Sequence, residues 1–237
     1  MVVEGPRLLA EALDASLPVH EVFVEAEGDW PDATLVRPGT LDRLGDAVTS
    51  QGVLAVVGAP ALALGSTAAV GASAGPPLEA RWKASGPPLL FVLVDVNDPG
   101  NAGTILRSAE AAGAYAVVFA GRSVDPLSPK VVRAAAGALF RLPIAVEEDL
   151  DALRDWLRDR MLTSFATVVS GGEDLYASDL SGPAAVLLGS EAHGLDVRSV
   201  EAADRRLTVP MAGSVESLNV AMAATVIGFE AWRQRRG

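Results

Sequence analysis

The chain has no cysteine, and its only histidines are His20 and His193. Without thiols there is no disulfide framework and no thiolate metal site. Two imidazoles are too few for a histidine-based metal centre without carboxylate help. Aromatic residues are scarce as well, 5% against 50% hydrophobic residues overall. The apolar mass is therefore mostly alanine, valine and leucine, ordinary for an α/β protein. At 237 residues the chain can build one large core or two small ones. No apolar run approaches the roughly 18 residues expected of a membrane-spanning helix. The start, "MVVEGPRLLAEALD", lacks the basic opening and long apolar stretch of a signal peptide, so the expected location is the cytoplasm. Positive charge is in deficit too: 19 Lys and Arg against 30 Asp and Glu leave a net charge of -11. That argues against broad, non-specific nucleic-acid binding, because the phosphate backbone rewards clustered cations. Local basic patches are still open: Arg81 with Lys83, Arg122 with Lys130 and Arg133, Arg205 with Arg206, and the C-terminal "RQRR". Taken singly, each reads as a solvated face.

What the chain does have is strand–helix alternation. Residues 65–88, rich in Gly, Ala, Ser and Pro, read as a linker between segments 1–64 and 89–237. Before it, "GPRLLAEALD" and "LDRLGDAV" read as helices, and "HEVFVEA" and "GVLAVVG" as strands. This small α/β module carries no cluster of catalytic residue types. After it, the strand candidates are "PLLFVLVDV", "YAVVFAG", "FATVVSG", "AAVLLGS" and "RRLTVPM". The helical stretches are "NAGTILRSAEAAG", "SPKVVRAAAGALF", "LDALRDWLRDRML" and "SLNVAMAATVIGFEAWRQRR". Apolar strands alternating with helices predict an α/β fold with a parallel sheet covered on both faces. Ligands in such sheets bind beyond the carboxyl ends of the strands. Three polar, glycine-containing clusters lie at those ends: residues 97–107, 189–195 and 209–219.

In the first cluster Asn101 is placed to cap the helix that follows. Arg107 lies about 200° around from Ile105 at helical spacing, away from the apolar stripe of Ile105, Ala109 and Ala112. An arginine beside a helix N-terminus can form a phosphate-binding corner. A capping Asn and a surface Arg would look the same, and this stretch alone does not decide between them. The second cluster, "VLLGSEAHGLD", puts Glu191 between two glycines that would let backbone approach a ligand. It has neither the G-x-G-x-x-G fingerprint nor a Walker lysine, and alone it reads as a turn with a loop histidine. In the third, Ser217 would cap a long apolar helix, with Asn219 in its first turn.

Taken together, in this order and spacing, the clusters are far more specific. "NDPGNAGTILRSAEAAG", "LLGSEAHGL" and "VPMAGSVESLNVAMA" resemble the three motifs of the SpoU class of RNA 2′-O-ribose methyltransferases, in the SPOUT superfamily. The N-terminal "VVEGPRLLAEAL … QGVLAVV" is similar to the small L30-like substrate-binding domain that many members carry. The resemblance implies S-adenosylmethionine as methyl donor, held in a deep trefoil knot of the C-terminal domain, and a homodimer through that knot. It implies that Gly189, Gly194, Val209, Met211 and Leu218 form the donor pocket. It places Arg107 at the ribose 2′-hydroxyl, with Asn101, Glu191, Ser217 and Asn219 orienting arginine, ribose and donor. Family proposals make that arginine the general base. A guanidinium stays protonated, so phosphate anchoring and stabilisation of the developing alkoxide suit Arg107 better.

The partner is then RNA, ribosomal in preference to transfer RNA, reached through Arg122, Lys130, Arg133 and Arg141. No metal is implied. Two departures stand out. "VVRAAAGALF" has alanine where the family often has serine, and no basic segment precedes "VVEGP". The second lowers the RNA affinity expected of the N-terminal domain, or reflects a truncated start. Two other readings stay open on residues alone: a non-catalytic RNA-binding protein of the same fold, and an unrelated α/β enzyme using a nucleotide cofactor.

Overall fold

The computed structural model describes residues 1–26, 28, 30, 32–45, 49–60, 64 and 86–236. Most of the expected linker, residues 65–85, and the patch of Arg81 and Lys83 lie outside them. The N-terminal elements are β1 (Val2–Glu4), α1 (Pro6–Asp14), β2 (Val19–Val24), β3 (Thr34–Leu35), α2 (Leu41–Leu44) and β4 (Val53–Val57). Pro6 opens α1, where its missing N–H costs nothing, and the helix buries Leu8, Leu9 and Ala12. The strands form a sheet in the order β1-β4-β2-β3, antiparallel except for β2 with β3. Residues 46–48 of the second expected helix are not described.

The remaining elements are β5 (Leu89–Val94), α3 (Pro99–Ala111), β6 (Ala116–Ala120), α4 (Pro129–Ala135), α5 (Ala138–Arg141), β7 (Ile144–Glu147) and α6 (Leu150–Asp159). They continue with β8 (Thr163–Thr167), β9 (Glu173–Asp174), β10 (Ala184–Leu188), α7 (Val197–Ala202), β11 (Arg205–Thr208) and α8 (Val220–Arg236). The sheet runs β7-β6-β5-β10-β8-β11-β9, and every pairing in it is parallel. Every residue of β5 and β6 is buried, which is why both read as unbroken apolar runs rather than alternating ones. Successive side chains still point to opposite faces. Leu89, Phe91 and Leu93 join the core with Ile105, Leu106 and Ile227, a cluster that also takes in Leu8 and Leu9 of α1. Leu90, Val92 and Val94 meet Leu153 and Leu157 of α6 on the other side.

Three local expectations change. The helix read over 128–140 is two, α4 and α5, broken where Ala136 and Gly137 both adopt left-handed backbone (φ 47 and 88). Gly137 also leaves room for a neighbour, since a Cβ there would lie 2.8 Å from the Glu11 carboxylate. The strand read from Phe165 starts at Thr163 and stops at Thr167, and the one read over 205–211 stops at Thr208. The short β9 beside β11 and the two-turn α7 carry too little pattern to be read in advance.

The last turn of α8 is held at the opposite end of the sheet from the polar clusters. Arg235 donates to the carbonyls of Leu180 (2.9 Å), Gly182 (2.7 Å) and Pro88 (3.4 Å). Burial lowers its pKa to about 10. One turn back, the buried Glu230 accepts from Arg233 at 2.8 and 2.7 Å and from Gln234 at 2.8 Å. The Arg233 bonds hold its carboxyl below the usual carboxylate range. A depressed carboxyl stabilises the fold above its unfolded value, and that share is lost as pH falls through the folded one. Glu230→Gln is therefore expected to lower Tm by about 2–4 °C at pH 7, with the gap closing towards pH 3. A gap of equal size at both pH values, by calorimetry, would assign the loss to packing instead.

Candidate active site

The three clusters converge at the carboxyl ends of β5, β10 and β11. The chain leaves β5 through Asp95, whose backbone is left-handed (φ 55). Its Oδ1 accepts the Arg122 N–H at 2.7 Å, and its carbonyl accepts from Asn97 Nδ2 at 2.9 Å. The first of these bonds ties the exit loop of β5 to that of β6, and the second closes the β5 loop on itself. Asp98, not Asn101, caps α3: its Oδ1 accepts the Asn101 N–H at 2.7 Å, with Pro99 next in the first turn. Asn101 sits a turn further in, so its side chain is free to reach across to the other clusters.

It does so in both directions. Asn101 Nδ2 donates to Glu191 Oε1 at 2.9 Å, and Asn219 Nδ2 donates to Asn101 Oδ1 at 2.9 Å. Asn219 Oδ1 in turn accepts the N–H groups of Ala221 (2.9 Å) and Met222 (3.3 Å). Asn219 is therefore the cap of α8, a role the sequence had suggested for Ser217. The orientation of both amides follows from chemistry. A carboxylate only accepts, so Asn101 must turn its NH2 to Glu191. The free N–H groups of α8 only donate, so Asn219 must turn its oxygen to them. One chain of hydrogen bonds thus joins a residue from each cluster.

Beside it lies a cleft of about 600 Å³ that contains every residue expected to hold the donor: Gly189, Gly194, Val209, Met211 and Leu218. Leu188, Leu207 and Ile227 supply apolar wall, and Glu191, Ser217 and Asn219 also line it. The loop after β10 folds back on itself, Ser190 N–H to Gly194 O at 3.1 Å and Gly194 N–H to Ser190 O at 2.9 Å. Gly194 takes φ 67 to make that turn. The return strand runs so close to Gly189 that a Cβ there would lie 2.1 Å from both Gly194 C and Leu195 N. His193 and Glu216, neither of them singled out from sequence as site residues, line the cleft too.

Arg107 is exposed on α3, outside the cleft lining, and its side chain makes no hydrogen bond or ion pair with the described residues. The four arginine and lysine candidates for RNA contact separate into two pairs. Arg122 and Lys130 are exposed. Arg133 lies 3.6 Å from Glu4, and Arg141 bridges Glu11 of α1 and Glu110 of α3. Glu110 and Glu11 raise the Arg141 pKa further above its ordinary value. These two arginines thus join the N-terminal elements to the larger sheet. A second cleft, of about 620 Å³ between α6 and α7, contains none of the residues expected to hold donor, ribose or RNA, and Arg205 of one basic patch lines it. No group of three His, Asp or Glu residues suited to a metal ion occurs among the described residues. No described helix is long and apolar enough to cross a membrane.

Residues 88–229 match the model of the SpoU rRNA Methylase family. A 23S rRNA (guanosine-2′-O-)-methyltransferase, RlmB, of Pseudomonas syringae is 40% identical over 153 residues, 65% of this chain and 61% of the relative. A 23S rRNA (uridine(2479)-2′-O)-methyltransferase of Streptomyces viridochromogenes is 39% identical over 152 residues, 62% of this chain and 53% of that one. The chain thus spans about three fifths of the length of the curated relatives it matches, or less. Among solved structures, the SpoU methyltransferase AviRb of S. viridochromogenes, in complex with AdoMet, superposes with a TM-score of 0.84 at 30% identity. That match covers 100% of this chain and 91% of AviRb.

Proposed function

Because the chain belongs to the SpoU rRNA methylase family, we propose that it is an S-adenosylmethionine-dependent RNA 2′-O-ribose methyltransferase acting on ribosomal RNA. The observation that carries this reading is the Glu191–Asn101–Asn219 hydrogen-bond chain at the mouth of the glycine-floored cleft. The cleft is large enough for a nucleoside-sized ligand, and its apolar wall and bare Gly189 backbone suit an adenosine. When bound there, the donor supplies an electrophilic methyl group on a sulfonium sulfur.

The protein's own part is positioning. Gly189, Gly194, Val209, Met211 and Leu218 hold the donor, chiefly through backbone groups. Arg107, with no competing partner among the described residues, anchors the phosphate next to the target ribose and stabilises the alkoxide that develops at its 2′-oxygen. Asn101, Glu191, Ser217 and Asn219 keep arginine, ribose and donor in register, and that pre-organisation supplies most of the rate.

The N-terminal sheet serves as an L30-like domain that binds RNA, joined by the segment 65–88 to the methyltransferase domain, and Arg122 and Lys130 contact phosphate. The C-terminal segment, whose last helix bonds to Asn101 at one end and Pro88 at the other, is the part that would thread the family's trefoil knot. Homodimerisation accounts for the exposed Met222, Phe229 and Trp232 along that helix, which a second copy would cover. Ribosomal RNA is preferred to transfer RNA on the names of the relatives, and both are met in the cytoplasm. Incubation with methyl-labelled donor and either rRNA or tRNA, followed by nuclease digestion, tests the reading. The expected product is a 2′-O-methylated nucleotide from rRNA. Label on tRNA alone would move the assignment to the alternative substrate, and label on a base, or none, would overturn the reaction type.

A further inference from the structure

We propose that Glu216 makes the donor cleft selective for the cationic sulfonium of the donor over the uncharged thioether left after methyl transfer. The inference rests on the donor assignment above and on the charge of the cleft. Among the described residues its lining includes two carboxylates, Glu191 and Glu216, one histidine, His193, and no lysine or arginine. The two carboxylates are not equivalent. Glu191 accepts a hydrogen bond from Asn101 and is part of the chain that joins the clusters. Glu216 is exposed, lies immediately before Ser217 and Leu218 in the wall, and makes no side-chain hydrogen bond or ion pair with the described residues. It is the carboxylate free to answer a charge on the ligand.

Donor and product share the adenosine, the amino group and the carboxylate, and they differ by one methyl group and one positive charge on sulfur. Shape and hydrogen bonding therefore bind the two almost equally, and equal binding retards release of the product without helping the transfer. A carboxylate near the sulfur acts on one of them only. Because Glu216 is exposed, the attraction is moderated by water and weakened by salt.

Titration calorimetry on the full chain, with S-adenosylmethionine and with S-adenosylhomocysteine, tests this against Glu216→Gln, which keeps the shape and removes the charge. Donor affinity is expected to fall about fivefold at low salt, with product affinity changed less than about twofold. The donor preference of the unaltered protein is expected to shrink as salt is raised towards 1 M. Equal losses for both ligands would place Glu216 on their shared amino group and overturn the proposal, as would an unchanged donor affinity. If the unaltered protein bound neither ligand, the donor assignment itself would fall. A wrong RNA target would leave the result untouched.

Discussion

Arg107→Ala is expected to lower kcat for methyl transfer by about 10²- to 10³-fold, the usual cost of losing one donor aimed at developing negative charge. The donor dissociation constant should stay within about twofold, because Arg107 is not among the residues that line the cleft. Its side chain makes no hydrogen bond or ion pair with the described residues, so the fold should survive the change. Arg107→Lys discriminates further. Lysine keeps the charge but not the planar fork that can span two oxygens of a phosphate. Recovery of no more than about tenfold over alanine would mark two-point anchoring. Single-turnover transfer beside calorimetry separates the possibilities. Wild-type turnover in the alanine variant would remove Arg107 from the reaction, and loss of donor binding would make its effect indirect.

Gly189→Ala should act on the other half of the site. One added methyl would meet Gly194 C and Leu195 N at 2.1 Å. Both are backbone atoms of a loop closed by its own hydrogen bonds, so they cannot step aside as a flexible side chain would. Overpacking of this kind costs about 1–3 kcal/mol, a Tm lower by several degrees in a chain of this length. Pushing the loop outward moves the cleft floor, and donor affinity should fall by about tenfold or more. Gly213→Ala is the matched control in the third cluster. No described residue lies within 4 Å of a Cβ placed there, and no change is expected. If both variants bound the donor like the parent protein, the close approach at Gly189 would have no bearing on the cleft.

How these residues come together was legible in part. The apolar runs of β5 and β6 and the stripe on α3 are strong enough to announce a parallel sheet with covering helices, and the polar clusters fall where such sheets bind ligands. The caps were not legible, and the reason is local. Asp98 and Asn101 can both cap, as can Ser217 and Asn219, and helix ends are uncertain by a residue or two. Pro99 was the signal for Asp98, since proline favours the first turn. Asn101 on its own stretch looks like a cap, and only the family resemblance groups it with Glu191 and Asn219, the residues 90 and 118 positions further along that it bridges. Arg133 and Arg141 show the same difficulty with charge. Their partners, Glu4 and Glu11, lie far upstream, and an arginine in a string of letters looks alike whether it awaits a phosphate or already holds a carboxylate. Glu216 sat inside a quoted motif and drew no notice until the cleft showed which charges line it.

The contact between Asn101 and Asn219 also has a meaning in time. Synthesis runs from the N-terminus, and Asn219 is made 118 residues after its partner. The β5–α3 corner and the Glu191 loop can be complete while α8, which caps itself with Asn219 and closes one wall of the cleft, has yet to be made. Contacts this distant in sequence slow folding, because the intervening chain must be ordered before they form. An unfinished chain would therefore carry Arg107 without the cleft beside it. Competence would arrive in one late step, when the last helix docks.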